Sequence, residues 1–209
     1  MFARRTNLSA SNVRRLFQAR VRWSVQLARL ALASMMLVGF GLRGVNAQDA
    51  IDPRLEYNVK AVSLYAFGRY VTWPDAAFPS ASGSFVIGTY GENPFGDALQ
   101  RIAKQKTLNG RTIEVRQISR PEECAECHIL FVPNSVSQVI ETKLFEQSAG
   151  KPVLLVGESP GFATRGGVIN FYHSGSNVRF ELNPDKSLEN QLSLNAKLLT
   201  LGTRAATRK

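Results

Sequence analysis

Two short runs of exclusively apolar residues constrain the fold of this chain most strongly. Ile129 to Val132 and Val153 to Val156 contain no polar side chain, which is typical of strands covered on both faces of a sheet. Between them, Ser135 can cap a helix. The apolar stripe of that helix consists of Val136, Val139, Ile140 and Leu144. This succession predicts a largely parallel sheet with helices packed on it.

Four further strands extend this sheet. Phe85 to Tyr90 precedes a helix with apolar residues at helical spacing, and Thr112 to Ile118 follows an Asn109-Gly110 turn. Val168 to Tyr172 and Val178 to Leu182 read as a hairpin. The second and last strands alternate apolar and polar residues, which predicts edge positions and the strand order 2-1-3-4-5-6. We therefore predict an α/β fold: a single-domain three-layer sandwich with a mixed, mostly parallel sheet and an antiparallel C-terminal edge hairpin.

The first helix, predicted over Leu55 to Val71, is apolar on two sides. One stripe comprises Leu55, Val59, Val62, Ala66 and Tyr70, and the other comprises Tyr57, Ala61, Leu64 and Val71. A helix that is apolar on nearly all sides is expected to be covered on two sides. It lies either between the sheet and another helix or with one stripe against a second chain. Trp73-Pro74 ends it.

The charge of the chain is concentrated at its start. The formal net charge is +10, but residues 1 to 47 hold eight arginines and no acidic residue. Removing these eight from the 26 basic residues leaves 18 against 16 acidic ones, a net charge of +2. The rest of the chain therefore lacks the basic excess of a nucleic-acid binder.

The basic start has the pattern of an export signal. An apolar run from Leu30 to Leu42 follows the arginines, and Val45-Asn46-Ala47 suits cleavage before Gln48. We predict a signal peptide over residues 1–47, an α/β domain over 48–202 and a disordered basic tail over 203–209. An uncleaved N-terminal anchor is the alternative, because Arg43 interrupts the region before the cleavage site.

Cys124 and Cys127 are the only cysteines. After export they are expected to form a small disulfide that closes a loop. Cys124 to His128 also matches a haem-attachment motif, and with His173 the same residues could bind zinc. A thioredoxin-like role does not fit, because the pair precedes a strand rather than beginning a helix. We predict no metal site and no cofactor.

Gly157 to Gly161 matches the nucleophile elbow of serine hydrolases. Pro160 contradicts that assignment, since the oxyanion hole needs the backbone N–H of the residue after Ser159 and proline has none. A strand rather than a helix follows, and no acidic residue lies between Ser159 and His173. A turn is the better interpretation, and we predict no catalytic residues.

Seven motifs in register resemble the YfiR family of exported regulators. They begin with Tyr57-Asn58-Val59-Lys60-Ala61 through Leu64-Tyr65, Phe67 and Val71-Thr72-Trp73-Pro74. The others are Asn93-Pro94-Phe95-Gly96, Leu108-Asn109-Gly110-Arg111, Cys127-His128-Ile129-Leu130-Phe131, Val156-Gly157 to Phe162 with Gly166-Gly167-Val168-Ile169-Asn170-Phe171, Val178-Arg179-Phe180-Glu181-Leu182-Asn183 and Lys197-Leu198-Leu199. The resemblance covers about Tyr57 to Leu201.

This resemblance implies a non-enzymatic periplasmic repressor. Such a protein binds the periplasmic part of a membrane diguanylate cyclase and lowers cyclic di-GMP, and with it biofilm formation. The alternative membrane partner is a sensor kinase. An outer-membrane lipoprotein partner, a homodimer and disulfides are also implied. This chain departs from the pattern because its single Cys124–Cys127 pair allows no bridge between distant segments, which weakens a redox-switch interpretation.

Partner binding requires exposed apolar residues with polar anchors. The candidates are Tyr70 and Trp73 at the end of the first helix and Glu158, Phe162 and Arg165 in one loop. Core positions for Phe162 and Trp73 are equally compatible with the sequence. The alternative function is a periplasmic small-ligand binding module with a crevice between Gly91 to Pro94 and Gly157 to Gly167.

Overall fold

An eight-stranded mixed sheet separates two hydrophobic cores, one on each of its faces. The computed structural model describes residues 52–78, 80 and 82–205. The predicted signal peptide and residues 206–209 lie outside the described residues. The two cores make this a three-layer α/β arrangement, as predicted.

Ten strands and six α-helices make up the described part of the chain. The strands are β1 (Val71–Thr72), β2 (Phe85–Tyr90), β3 (Thr107–Leu108), β4 (Arg111–Ile118), β5 (Ile129–Val132), β6 (Leu154–Gly157), β7 (Ile169–Ser174), β8 (Asn177–Leu182), β9 (Ser193–Leu194) and β10 (Thr203–Arg204). The helices are α1 (Pro53–Tyr70), α2 (Ala98–Gln105), α3 (Gln138–Ser148), α4 (Phe162–Arg165), α5 (Pro184–Glu189) and α6 (Ala196–Leu201), with 3₁₀ helices at Asp75–Ala77 and Pro121–Glu126.

The strand order of the large sheet is β10-β8-β7-β6-β5-β2-β4-β3. The six long strands therefore follow the predicted 2-1-3-4-5-6 order, with β4, β2, β5, β6 and β7 parallel and β7–β8 antiparallel. The prediction that β4 and β8 are the edge strands is wrong, because a two-residue strand pairs with the outer side of each. Asn109 and Gly110 adopt positive φ angles of 51° and 77° and turn β3 back onto β4. At the other edge β10 pairs with β8.

Helix α1 begins at a capped end and buries one of its two apolar stripes. The Asp52 carboxylate accepts a hydrogen bond from the Arg54 N–H at 2.9 Å, and Pro53 occupies the first turn. Ala61 and Leu64 lie in the core that α1 shares with α2 and α6. The other stripe is not covered by a helix of the described chain, because its members Leu55, Val59 and Val62 are exposed.

The second core lies under α3, α4 and the Pro121–Glu126 helix. Leu144 of α3 is buried there as predicted, whereas Val139 of the predicted stripe is exposed and Glu141 is buried in its place. Glu141 tolerates burial because it accepts a hydrogen bond from the Ser159 hydroxyl at 2.5 Å and pairs with Arg165. The contacts of Glu141 with Ser159 and Arg165, which follow β6, thus determine which side of α3 faces the core.

The ordered domain extends beyond the predicted boundary at residue 202. Thr203 and Arg204 form β10, and Ala205 is buried, so the start of the predicted tail belongs to the sheet. Backbone pairing with β8 and burial of the Ala205 side chain provide the physical reason. Among the residues that the structure describes, no helix has the length and apolar character required to span a membrane.

Candidate functional site

Polar residues at or just after the ends of three strands meet one helix at the carboxyl edge of the parallel strands. Asn134 follows β5, Glu158 follows β6, and His173 lies near the end of β7. Helix α1 crosses this edge with Tyr57 and Lys60, which lie three residues apart and therefore on the same helix face. The carboxyl edge is where open α/β sheets bind ligands.

Glu158 is the centre of this arrangement. Its Oε1 accepts hydrogen bonds from the Tyr57 hydroxyl and the Asn134 backbone N–H, both at 3.0 Å. Its Oε2 pairs with the Lys60 ammonium, which also pairs with Glu56. The His173 Nε2 lies 3.2 Å from Glu56 Oε1. One network therefore joins α1, the loop after β6 and the β7–β8 hairpin.

The Lys60 charge is buried but compensated. Only 4% of the Lys60 side chain and 8% of the Glu158 side chain are exposed, and a buried charge is stable only when it is paired. The Lys60 ammonium also lies 4.7 Å from the centre of the Tyr57 ring. Burial, and then the nearby Glu158 carboxylate, raise the pKa of Tyr57. The Tyr57 hydroxyl therefore acts as a hydrogen-bond donor rather than as a base.

A cavity of about 650 Å³ opens beside this network. Its lining comprises Glu56, Tyr57, Lys60, Asn134, Glu158, Pro160, Gly161, Asn170, Phe171, Tyr172, His173, Glu181 and Thr203. Asn170 is 3% exposed; its Nδ2 donates to Glu181 at 3.0 Å, whereas its Oδ1 has no hydrogen-bond partner among the described residues. A buried acceptor without a partner is uncommon, and Asn170 is one of the residues that line this cavity. Three carboxylates and one lysine line the cavity, so its electrostatic potential favours ligands without negative charge.

A second cavity of about 360 Å³ adjoins the first at the point where the strand order reverses. Glu92 and Pro94 after β2 line it together with Pro133 and Ser135 after β5. Tyr57, Asn134 and Glu158 line both cavities. The crevice predicted between Gly91–Pro94 and Gly157–Gly167 thus has a counterpart in the structure, although α1 forms much of its wall.

Residues 57–203 match the sequence model of the family described as YfiR/HmsC-like. The chain belongs to the YfiR/HmsC-like family. Proteins of this family are periplasmic regulators of diguanylate cyclases, and the family is regulatory and non-catalytic. The matched segment begins and ends with two residues that line the larger cavity, Tyr57 and Thr203, so the YfiR/HmsC-like region includes nearly the whole site.

The predicted partner-binding residues do not form one patch in this YfiR/HmsC-like domain. Glu158 lies in the network at the carboxyl edge. Tyr70 lies at the other end of α1, about 20 Å away along the helix from Tyr57. Tyr70 is partly exposed, with the Lys197 ammonium 5.4 Å from its ring centre. Trp73 is buried against Phe85, with ring centres 4.9 Å apart, so its side chain belongs to the core.

Phe162 is a core residue, which agrees with the core position that the sequence left open and not with an exposed partner-binding role. Its side chain is 0% exposed and lies 5.1 Å from the Phe145 ring, centre to centre. Gly157 and Gly167 make room for it, because a Cβ at either position would lie within 2.5 Å of the Phe162 ring. The two glycines flanking this loop thus allow the aromatic ring to fill the core beneath it.

Arg165 contacts the buried Glu141 of α3 and is not one of the residues that line the larger cavity. Its guanidinium pairs with Glu141, donates to the Ser159 hydroxyl at 2.9 Å and contacts the Pro160 carbonyl. Ser159 is itself buried and donates to Glu141. These contacts give the sequence Gly157 to Gly161 a structural role as a braced turn.

Cys124 and Cys127 are free thiols, which differs from the predicted disulfide. Both side chains are buried in the core under α3, and the Cys127 sulfur faces Gly88 of β2 so closely that a Cβ there would lie 2.4 Å from it. The sulfur atoms pack as apolar groups against the sheet. Burial raises the pKa of both thiols, that of Cys127 to about 12.

Sequence reasoning missed the α1 side of the site. Glu56 and Lys60 belong to what looked like the polar face of a helix, and exposure is the usual state of such residues. The useful signal was the combination of Tyr57 and Lys60 in the first motif of the YfiR/HmsC-like pattern. The buried amide of Asn170 and the role of His173 had no signal in their local sequence.

Proposed function

We propose that this protein is a non-enzymatic periplasmic regulator that binds the periplasmic part of a membrane signalling protein. The partner is a membrane diguanylate cyclase, and binding inhibits it and lowers cyclic di-GMP. The observation that carries this proposal is the family match over residues 57–203. In this proposal residues 1–47 direct export and are removed near Ala47.

The exposed stripe of α1 supports a binding role. Leu55, Val59 and Val62 lie along one side of the helix and are solvent-exposed in the single chain. A row of large apolar residues on a regular helix is the kind of surface that a partner covers. We refer to these three residues as the α1 row and place the membrane partner there.

A charge introduced into the α1 row tests this assignment. We expect the double variant Val59→Asp/Val62→Asp to lose binding to the periplasmic domain of a membrane diguanylate cyclase from the same organism, measured by pull-down. In cells, a cyclic di-GMP reporter should rise when the gene is deleted and fall again with the wild-type protein but not with the double variant.

Val139→Asp is the matched control, since Val139 is an exposed valine on α3, which packs on the other face of the sheet. It should keep both binding and repression. Light scattering on the same proteins distinguishes a self-association surface. If the double variant converts a dimer to a monomer but still binds the cyclase domain, the α1 row joins two copies and the partner binds elsewhere.

The second candidate function is small-ligand binding in the larger cavity, and the unpartnered Oδ1 of buried Asn170 favours it. A ligand with an N–H or O–H donor would satisfy this atom. Small amines and alcohols should raise the unfolding temperature, whereas carboxylates should not, because three carboxylates already line the cavity. The Asn170→Ala variant should lose the stabilisation, and an equal response in that variant would exclude the cavity as the binding site.

A further inference from the structure

His128 uses both nitrogens of its ring to join two parts of the fold. Its Nδ1 accepts a hydrogen bond from the Val86 backbone N–H at 3.0 Å. Its Nε2 lies 3.1 Å from the carbonyl oxygen of Ala77. The residue is buried, with 7% of its surface exposed. His128 thus links β2 of the sheet to the 3₁₀ helix Asp75–Ala77.

These two contacts determine the protonation state of the ring. A backbone N–H can only donate, so Nδ1 must carry a lone pair and Nε2 must carry the proton donated to Ala77. A second proton on Nδ1 would face the Val86 N–H and abolish that hydrogen bond. Because both nitrogens belong to one rigid ring, a movement that separates Nδ1 from Val86 also changes the position of Nε2 relative to Ala77.

The ring is also an apolar contact for the segment Trp73–Phe78. It stacks on Phe78 with ring centres 4.6 Å apart and on Phe85 of β2 at 4.7 Å. Trp73 packs edge-on against Phe85. The imidazole therefore lies between an aromatic residue of the segment and one of the sheet, and it holds the two together.

The surrounding charges do not favour an imidazolium ion. Arg111 at the start of β4 stacks on Phe78, with its guanidinium carbon 4.1 Å from the ring centre. His128 stacks on the same ring, so a positive charge on His128 would be repelled by the charge of Arg111. A cavity of about 540 Å³ borders His128 as well, and its charged lining residues are Glu114, Arg116, Glu126 and Lys151. Arg116 pairs with both glutamates, and Lys151 supplies the second positive charge, so these four residues have no net negative charge. Burial, together with Arg111, lowers the pKa of His128 from its usual value, against the opposing effect of the Ala77 hydrogen bond.

We propose that His128 is an acid-sensitive latch whose protonation releases the segment Trp73–Phe78 from the sheet. Release exposes Trp73, Phe78 and the face of Phe85 that they cover. The device is separate from the α1 row and the Asn170 cavity. It gives this protein a response to acid in a compartment that, after export, shares the pH of the surroundings.

The direction of the response follows from proton linkage. The native ring binds a proton less readily than the unfolded chain, so acid favours states in which the ring is free. The latch is therefore intact above a pH of about 6.5 and is lost as pH falls below that value. The second histidine, His173, is exposed and contacts Glu56, and its replacement is the control for replacement of His128.

Tryptophan fluorescence tests the latch directly. The chain has two tryptophans, and in the proposed function Trp23 is removed with residues 1–47, so Trp73 is the sole reporter in protein purified from the periplasm; mass spectrometry of the purified protein verifies the removal. Between about pH 7 and about pH 4.5, quenching of Trp73 by acrylamide should rise several-fold with a midpoint below about 6.5. The far-UV circular dichroism should stay constant over the same range.

Variants assign the response to one ring. His128→Gln should lose the pH dependence of quenching, because an amide does not titrate in this range, and His173→Gln should keep it. Should His128→Gln fail to fold, the nitrogen chemical shifts of the two imidazoles in the wild-type protein decide instead. They should show His128 in the neutral Nε2–H form at the pH where Trp73 is protected and as the imidazolium at the pH where quenching of Trp73 has risen. The latch is refuted if quenching does not change, if the change persists without His128, or if it coincides with loss of secondary structure.

Discussion

Lys60 and Glu158 lie 98 residues apart in the chain and form an ion pair that is almost wholly buried. Lys60 belongs to the first helix of the domain, and Glu158 follows the central strand β6. Their contact holds α1 across the carboxyl edge of the sheet. The position of the α1 row and the shape of the larger cavity both depend on where this helix lies.

Replacement of Lys60 by Met should destabilise the protein by about 3–5 kcal/mol, because the carboxylates of Glu56 and Glu158 then remain buried without their cation. Chemical denaturation measures the free energy of unfolding. Adding Glu158→Gln to Lys60→Met should recover part of the loss, since it removes one of the two unpaired charges.

Arg101→Met is the control for this experiment. It breaks the pair of Arg101 with Asp97 on α2, where both side chains are exposed, and it should leave the denaturation midpoint unchanged. Equal effects of Lys60→Met and Arg101→Met would show that the buried network adds nothing to the stability of the fold.

Phe162→Ala should destabilise the protein by about 3–5 kcal/mol, because it opens a cavity in a well-packed core. Leu188→Ala, at an exposed leucine on α5, should change the free energy of unfolding by less than about 0.5 kcal/mol. A stable Phe162→Ala variant with weakened partner binding would instead support the surface role predicted from the sequence.

The two thiols should react slowly in the native protein and rapidly after unfolding. Both are buried, and their raised pKa values keep them protonated near neutral pH, whereas the thiolate is the reactive form. Iodoacetamide labelling followed by mass spectrometry, with and without denaturant under non-reducing conditions, measures this. Failure of both cysteines to label in denaturant would demonstrate the disulfide that the sequence predicts.

Tyr57 should remain protonated when solvent-exposed tyrosines ionise, because burial and Glu158 raise its pKa. The absorbance change at alkaline pH should therefore be the same in the wild type and in Tyr57→Phe up to a pH of about 10. A group with a raised pKa stabilises the fold below its unfolded value and loses this contribution as pH rises past it. The stability of the wild type should accordingly fall above a pH of about 10 more steeply than that of Tyr57→Phe.

The order of the six long strands could be predicted because it follows from local hydrophobic patterns. The strands Ile129–Val132 and Leu154–Gly157 contain no polar side chain, and they therefore lie inside the sheet. The alternating strands β4 and β8 lie near its ends. The two-residue strands β3 and β10 were missed because pairs this short have no periodicity to detect.

The fate of single polar and aromatic side chains could not be predicted in the same way. Lys60 and Glu141 are charged residues on helices, yet both are buried because partners distant in sequence compensate their charge. The sequence left open whether Phe162 lies in the core or at the surface, and the space left by Gly157 and Gly167 lets its ring enter the core. Each outcome depends on contacts between segments.

By itself, the sequence determined the α/β class, the central strand order and the family, because local hydrophobic periodicity and ordered motifs are properties of the chain. The tertiary structure alone decided that Lys60, Glu158 and Asn170 border one cavity, that the α1 row stays exposed and that His128 contacts Ala77. These relationships arise when segments distant along the chain pack together, and the free energy of burying a charge or a ring depends on what the other segment presents.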